Sequence, residues 1–198
     1  MRGWGYKGRI VSFEPLSSAY KVLVKRAKGD PLWETRNIAL GNHDGKIEMN
    51  ISGNSVSSSI LDMLPMHVQS VPQSAYIDKE EVIIRKIDSI LDDYYRPGEK
   101  LYLKIDTQGY EKNVIEGAEK ALDIISGIEM EVSLVPLYKG EILLAEMISF
   151  MSGKGYTLIS VKPGFFNRQT GRLFQVDCSF FRESLDATGA VVADFKLG

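Results

Sequence analysis

Asp106 and Glu111 flank the run Asp-Thr-Gln-Gly-Tyr-Glu, where an apolar strand-like stretch gives way to a helical pattern. A carboxylate at a strand end can act as a general base, hold a metal or orient a substrate hydroxyl. In open α/β sheets ligands gather outside the carboxyl ends of the strands, so this junction is a natural place for chemistry. Both acids also have plain alternatives. Asp106 could cap the following helix by accepting backbone N–H bonds. Glu111, in the first helical turn, gains roughly 0.3–1 kcal/mol from the helix dipole with no function at all. Gly109 is the turn residue that takes a positive φ freely.

Further acids belong to the same picture. Glu14 closes the short run RIVSF and is followed by Pro15. An acid in that position of a nucleotide-binding α/β fold accepts hydrogen bonds from ribose hydroxyls, and a solvated loop carboxylate is the ordinary alternative. Glu129 and Glu131 alternate with Ile128, Met130 and Val132, which places Glu131 nearer the cleft and leaves Glu129 a solvent-facing edge. Asp177 interrupts an apolar run, and Lys104 is out of place in another, where pairing with a carboxylate or snorkelling would accommodate it. His43 and His67 sit in separate polar stretches without companion ligands, so no zinc site is indicated. Cys178 reads as a small buried hydrophobe. Walker-type loops, nucleophile elbows and aromatic-basic stripes are absent.

The elements that must position these groups follow from periodicity. Residues 9–13 form a strand, and Ser17 suits the N-cap of a helix carrying Leu16, Tyr20, Leu23, Val24 and Ala27. Residues 33–40 and 46–51 read as a hairpin about the turn signal GNHDG. The stretch 63–79 has little pattern. Strand 81–86 and helix 87–95 precede the strand that opens at Leu101 and ends at Asp106. The helix after it is predicted to run to Ile125, with Glu116 and Lys120 paired on its outer face. Strand 128–135, a helix from about Glu141, and antiparallel strands 156–161 and 173–182 about a turn at 167–171 complete the order. Strands alternating with helices predict an α/β fold with a mostly parallel sheet and an antiparallel last strand.

A chain of 198 residues makes one domain, expected at 1–183, with a patternless tail at 184–198. Apolar residues at 44% and charged residues at 25% are ordinary for a globular protein, and a formal charge of −2 points to neither nucleic acid nor an anionic membrane. One cysteine, no membrane-length apolar run and no signal-peptide pattern place the chain in the cytoplasm.

Four stretches, RIVSFEPLSSAY, NIALGNHDG with the serine loop after it, LYLKIDTQGYEKNVIEGA and GFFNRQTGRLFQVDCSFFR, resemble the FkbM-type S-adenosylmethionine-dependent methyltransferases. The likeness runs from Arg9 to about Arg182, and its third and fourth stretches are the specific ones. It implies a Rossmann-like class I methyltransferase sheet and methyl transfer from S-adenosylmethionine to a hydroxyl of a sugar or natural-product acceptor. By the same resemblance Glu14, Asn37, Ser57, Ser58 and Ser59 serve the cofactor, Asp106 is catalytic, and Glu111 and Glu131 lie around the acceptor. A divalent metal at Asp106 is compatible with it, but no ligand spacing points to one. The resemblance also implies a strand and a glycine-rich turn before Ile10. Gly3, Gly5 and Gly8 precede a strand and are not read as that turn. The expected sheet therefore lacks its first strand and leaves a neighbouring edge open, which favours a homodimer. The rival reading is a non-catalytic methyltransferase-like remnant or binding module. A dinucleotide-binding enzyme ranks last, because no phosphate-binding glycine loop follows a strand.

Overall fold

The computed structural model describes residues 2–167, 170–185 and 191–193. Strand β1 (Ile10–Phe13) stops before Glu14-Pro15, and helix α1 (Ser17–Ala27) follows. Ser17 is not the N-cap that its type predicts. Leu16 precedes the helix without a side-chain cap, and Glu80 accepts hydrogen bonds from the Ser17 amide at 3.1 Å and from its hydroxyl. The helix start is thus capped from a strand 63 residues away.

The predicted strand 33–40 divides. Strand β2 (Trp33–Arg36) pairs parallel with β1, whereas β3 (Ala39–Leu40) leaves for another sheet. The predicted hairpin with β4 (Gly45–Ser52) does not form. Helix α2 (Pro65–Ser70) fills part of the patternless stretch, and β5 (Tyr76–Arg85) begins five residues before the expected strand at 81. It lies between β3 and β4, parallel to the first and antiparallel to the second. Helix α3 (Ile87–Tyr94) follows as expected.

The third sheet carries β6 (Leu101–Ile105), α4 (Glu111–Glu116), β7 (Ile125–Ser133), α5 (Leu144–Gly153), β8 (Tyr156–Pro163), β9 (Gln175–Leu185) and β10 (Val191–Ala193). Strands β6 and β7 are parallel, and β9 pairs antiparallel with both β7 and β8. The antiparallel late strand is as the pattern predicts. The mostly parallel sheet is not: the strands form three separate sheets, and two of them mix both directions, because β9 returns antiparallel to β8 and β7 and β4 meets β5 antiparallel. Strand β9 runs to Leu185 and β10 pairs with its end, so part of the expected tail is strand. Residues 186–190 and 194–198 of that tail, and 168–169 of the predicted turn, lie outside the described residues. Among the described residues no helix is long and apolar enough to cross a membrane.

Period-two alternation gives this sheet two different faces. One packs Ile105, Ile128, Met130, Val132, Val176, Cys178 and Phe180 against Val114, Ile115, Met147 and Met151 from the helices. The other carries Tyr102, Lys104, Glu129 and Asp177. Lys104 is accommodated there by Glu129, 2.6 Å away on the neighbouring strand. A register slip of one residue would exchange the faces and bury these charges, so the alternation fixes the pairing.

Helix α4 stops at Glu116, well short of the predicted end at 125. Gly117 lies so close to the loop after β3 that a Cβ on it would sit 1.8 Å from the Gly41 carbonyl oxygen. Asp88 then accepts from the Lys120 amide at 3.0 Å and the Ala121 amide at 2.9 Å, starting a short 3₁₀ turn at Ala121–Asp123. Glu116 pairs with Lys112 at 3.7 Å instead of Lys120. Because the obstructing atom is backbone, Gly117→Ala is expected to cost about 3 kcal/mol, the upper part of the overpacking range. Urea unfolding checks this, and an unchanged midpoint would show that the approach relaxes freely.

Candidate active site

Asp106, exposed at the end of β6, opens a turn in which two consecutive residues are left-handed, Gln108 at φ 53° and Gly109 at φ 94°. Gly109 is required twice over, since a Cβ there would also press on the Tyr138 Cβ at 3.1 Å. Gln108 has no such excuse. A non-glycine residue in this region costs of order 1–3 kcal/mol and persists only where its surroundings hold it. Here the Ser59 hydroxyl donates to the Gln108 carbonyl at 2.7 Å. The side-chain nitrogen donates to Asp106 Oδ1 and to Glu131 Oε2, each at 2.9 Å, and the Tyr138 hydroxyl donates to Gln108 Oε1 at 2.8 Å. The amide therefore bridges the ends of β6 and β7 and the loop beyond β7.

Glu111 holds the turn from beneath. Its Oε1 accepts from the Thr107 amide and hydroxyl, both at 3.0 Å, and from the Gly109 amide at 3.2 Å. It is buried, and burial pushes its carboxyl up to about 7 against the pull of these donors. Glu131 is half-buried and is also pushed up to about 7, by burial first and then by the negative charge of Asp106. The Gln108 donation and Lys104 oppose this, and Asp177 adds to it.

Glu14, at the end of β1, accepts from the Leu16 amide at 3.0 Å. Burial raises its carboxyl, and the charges of Glu80 and Asp106 add to the effect, so Glu14 and Asp106 share one electrostatic neighbourhood. Glu14 lines a cleft of about 340 Å³ with Ser12, Phe13, Val22, Leu23, Arg26 and Ser55. A larger cleft of about 470 Å³ lies among Asn50, Asp62, Tyr76, Asp78 and Lys79 and contains no sequence-predicted site residue.

Asn37 donates to the carbonyls of Glu14 at 2.9 Å and Pro15 at 2.8 Å, bracing the turn that carries Glu14. Ser57, Ser58 and Ser59 are buried and their hydroxyls have protein partners. Ser57 Oγ accepts from Asn54, Ser58 Oγ donates to the Ser55 carbonyl, and Ser59 reaches Gln108. The Ser57 carbonyl accepts from the Tyr138 hydroxyl at 3.3 Å. The structure thus joins Asp106, Glu131 and the serine loop through Gln108, while Asn37 braces the backbone of the Glu14-Pro15 turn and Glu111 that of the turn before its own helix.

Gln108, Thr107 and Tyr138 are the residues that sequence reasoning misses. A glutamine between two acids was a visible signal for the first; Tyr138 has none, being brought in by the loop after β7. His67 is not in a polar loop but buried beside Tyr138 and Phe165, ring centroids 5.2 and 5.5 Å away, and burial pushes it down to about 4. Among the described residues no group of three or more His, Cys, Asp or Glu side chains could hold a metal ion.

Residues 2–158 match the family described as the methyltransferase FkbM domain. The crystal structure of methyltransferase FkbM from Methylobacillus flagellatus KT is similar, with a TM-score of 0.50 and 11% identity, a likeness of fold alone. The match covers 86% of this chain and 36% of that one, so this chain spans little more than a third of that protein's length. No curated protein matches.

Glu111→Ala leaves the Thr107 and Gly109 amides unpaired and is expected to cost about 1–3 kcal/mol for each. Glu111→Gln keeps an acceptor oxygen and stays near the parent stability at acid pH, where the carboxyl is protonated folded and unfolded alike. A carboxyl raised from 4.5 to about 7 on folding binds more protons folded than unfolded, so it lowers stability as pH rises across that window. His67, lowered from 6.5 to about 4, acts in the opposite sense. The stability of Glu111→Gln relative to the parent should therefore grow between pH 4.5 and 7, followed by denaturant melts at several pH values; a constant difference would contradict it.

Proposed function

The chain belongs to the FkbM methyltransferase domain family, and from that premise we propose that it transfers a methyl group from S-adenosylmethionine to a hydroxyl oxygen of a sugar or natural-product acceptor. The observation that carries this reading is the gathering of Glu14, Asp106 and Glu131 at the carboxyl ends of β1, β6 and β7, the rim where ligands of α/β sheets bind.

The residues present suit part of the cofactor well. Glu14 spends one oxygen on the Leu16 amide and keeps the other for ribose hydroxyls, and Phe13, Val22 and Leu23 give its cleft apolar walls. Asn37 and the serine loop serve by holding the turns on either side. When bound, the cofactor supplies a sulfonium-activated methyl group. The chain's own contribution is to align an acceptor hydroxyl with that methyl and to take up its proton on the acids beside Gln108. Much of the rate would come from alignment, since no covalent intermediate is needed.

The pair β2-β1 and the run β6-β7-β9-β8 read as two parts of one Rossmann-like sheet. Among the described residues β1 and β6 each have one hydrogen-bonded neighbour. That same open edge favours the second reading, a binding module that does not turn over.

Calorimetric titration of the full chain with S-adenosylmethionine separates the two. Binding is expected, weakened about 10-fold or more in Glu14→Ala through loss of a charged hydrogen-bond acceptor. Absence of binding would leave the non-catalytic reading standing. Asp106→Asn is expected to retain cofactor binding and to lose about 100-fold in transfer, read as release of S-adenosylhomocysteine; unimpaired turnover would remove Asp106 from the chemistry.

A further inference from the structure

We propose that Gln108 is a positioning residue that holds Asp106 and Glu131 as a coupled carboxylate pair, and that Glu131 is the member of the pair that receives the acceptor's proton. This rests on the methyl-transfer reading and assigns a role within the same site.

The geometry is specific. One amide nitrogen has two hydrogens, and both are used, on Asp106 Oδ1 and Glu131 Oε2 at 2.9 Å each. A flipped amide would turn Oε1, which can only accept, toward the two carboxylate oxygens and lose both donations, so the bond that Oε1 accepts from the Tyr138 hydroxyl at 2.8 Å belongs to this orientation. Two carboxylates bonded to one nitrogen lie close enough that both being ionised is costly.

The two acids differ in setting. Asp106 is exposed, whereas Glu131 is half-buried. The charged and titratable groups facing Glu131 are Asp106 and Lys104 from β6, Asp177 from β9 and Tyr138 from the loop after β7. Lys104 is committed to Glu129 at 2.6 Å, so its relief of Glu131 is partial. Burial and the surrounding acids raise the affinity of Glu131 for a proton, beside the donor that fixes its position.

Gly164, in the loop between β8 and β9, passes beside the same acid: a Cβ there would come within 3.0 Å of the Gln175 carbonyl oxygen and 3.4 Å of Glu131 Oε1, so a side chain at this position would crowd the backbone of β9 first.

The step balances simply. A lone pair on the acceptor oxygen forms the O–CH₃ bond, the electron pair of the S–CH₃ bond passes to sulfur, and the hydroxyl proton passes to Glu131. Gln108 moves no proton; it keeps the receiving oxygen in place and the charge of Asp106 beside it.

The test needs neither acceptor nor turnover. Carbon-13 NMR of the carboxyl groups of the full chain, labelled at glutamate and aspartate, follows each acid with pH, the signals being assigned from Glu131→Gln and Asp106→Asn. Glu131 is expected to titrate near neutrality, and Asp106→Asn to lower its midpoint by about one pH unit or more, as for a coupled pair. Gln108→Met, which deletes the donor to the charged form, should raise that midpoint. Should that variant misfold, Gln108→Gly accepts the left-handed backbone and removes the same amide. A Glu131 midpoint in the ordinary glutamate range, or one indifferent to Asp106 and Gln108, would overturn the proposal. Either result is independent of whether S-adenosylmethionine binds.

Discussion

A glutamine held in the left-handed region is the constraint around which this molecule is arranged. Gln108 turns the chain sharply off the end of β6, and its amide then meets acids from two strands and a tyrosine from a distant loop. None of these bonds would form with an ordinary φ at that position, because the side chain would leave in another direction. The strain is offset by hydrogen bonds that a relaxed turn would lack, together with the buried Glu111 below and Ser59 alongside. Local conformation and long-range contact sustain each other.

The sheet behind the turn makes this arrangement affordable in physical terms. Its helix-packed face is wholly apolar, so the strands are fixed in register by burial. The opposite face can then carry acids and a lysine without endangering the fold. Glu131 and Asp177 face each other across β7 and β9, and Lys104 and Glu129 across β6 and β7. The lysine pairs with the acid farther from the strand end and leaves Glu131 short of a counter-charge. Burial first, and then this imbalance of charge, raises its affinity for a proton.

Much of this was legible in the residues. Pro15 and the apolar run before it marked the end of β1, and alternation picked out Glu129 and Glu131 as the polar positions of β7; the solvent-facing edge expected at Glu129 is instead an internal strand, where it pairs with Lys104. The break of strand 33–40 was not legible, since a continuous strand and two strands in different sheets share the same pattern. The early end of α4 was hidden because its cause is a carbonyl at Gly41, 76 residues away in sequence. Ser17 looked like a cap because its type is right; the actual acceptor is Glu80 on β5, which local patterning cannot see. Glu111 shows the limit most clearly. Its position suited either an acceptor pocket or a helix start, and only its three bonds to the turn reveal how its carboxylate is spent.

One rim, two anchors and a ligand laid between them is the core of the account. A crystal structure of the chain grown with S-adenosylhomocysteine addresses it most directly. The account predicts ribose hydroxyls on the free Glu14 oxygen and the sulfur facing the Gln108-bridged acids. Density elsewhere, with Glu14 bonded only to Leu16, would contradict it.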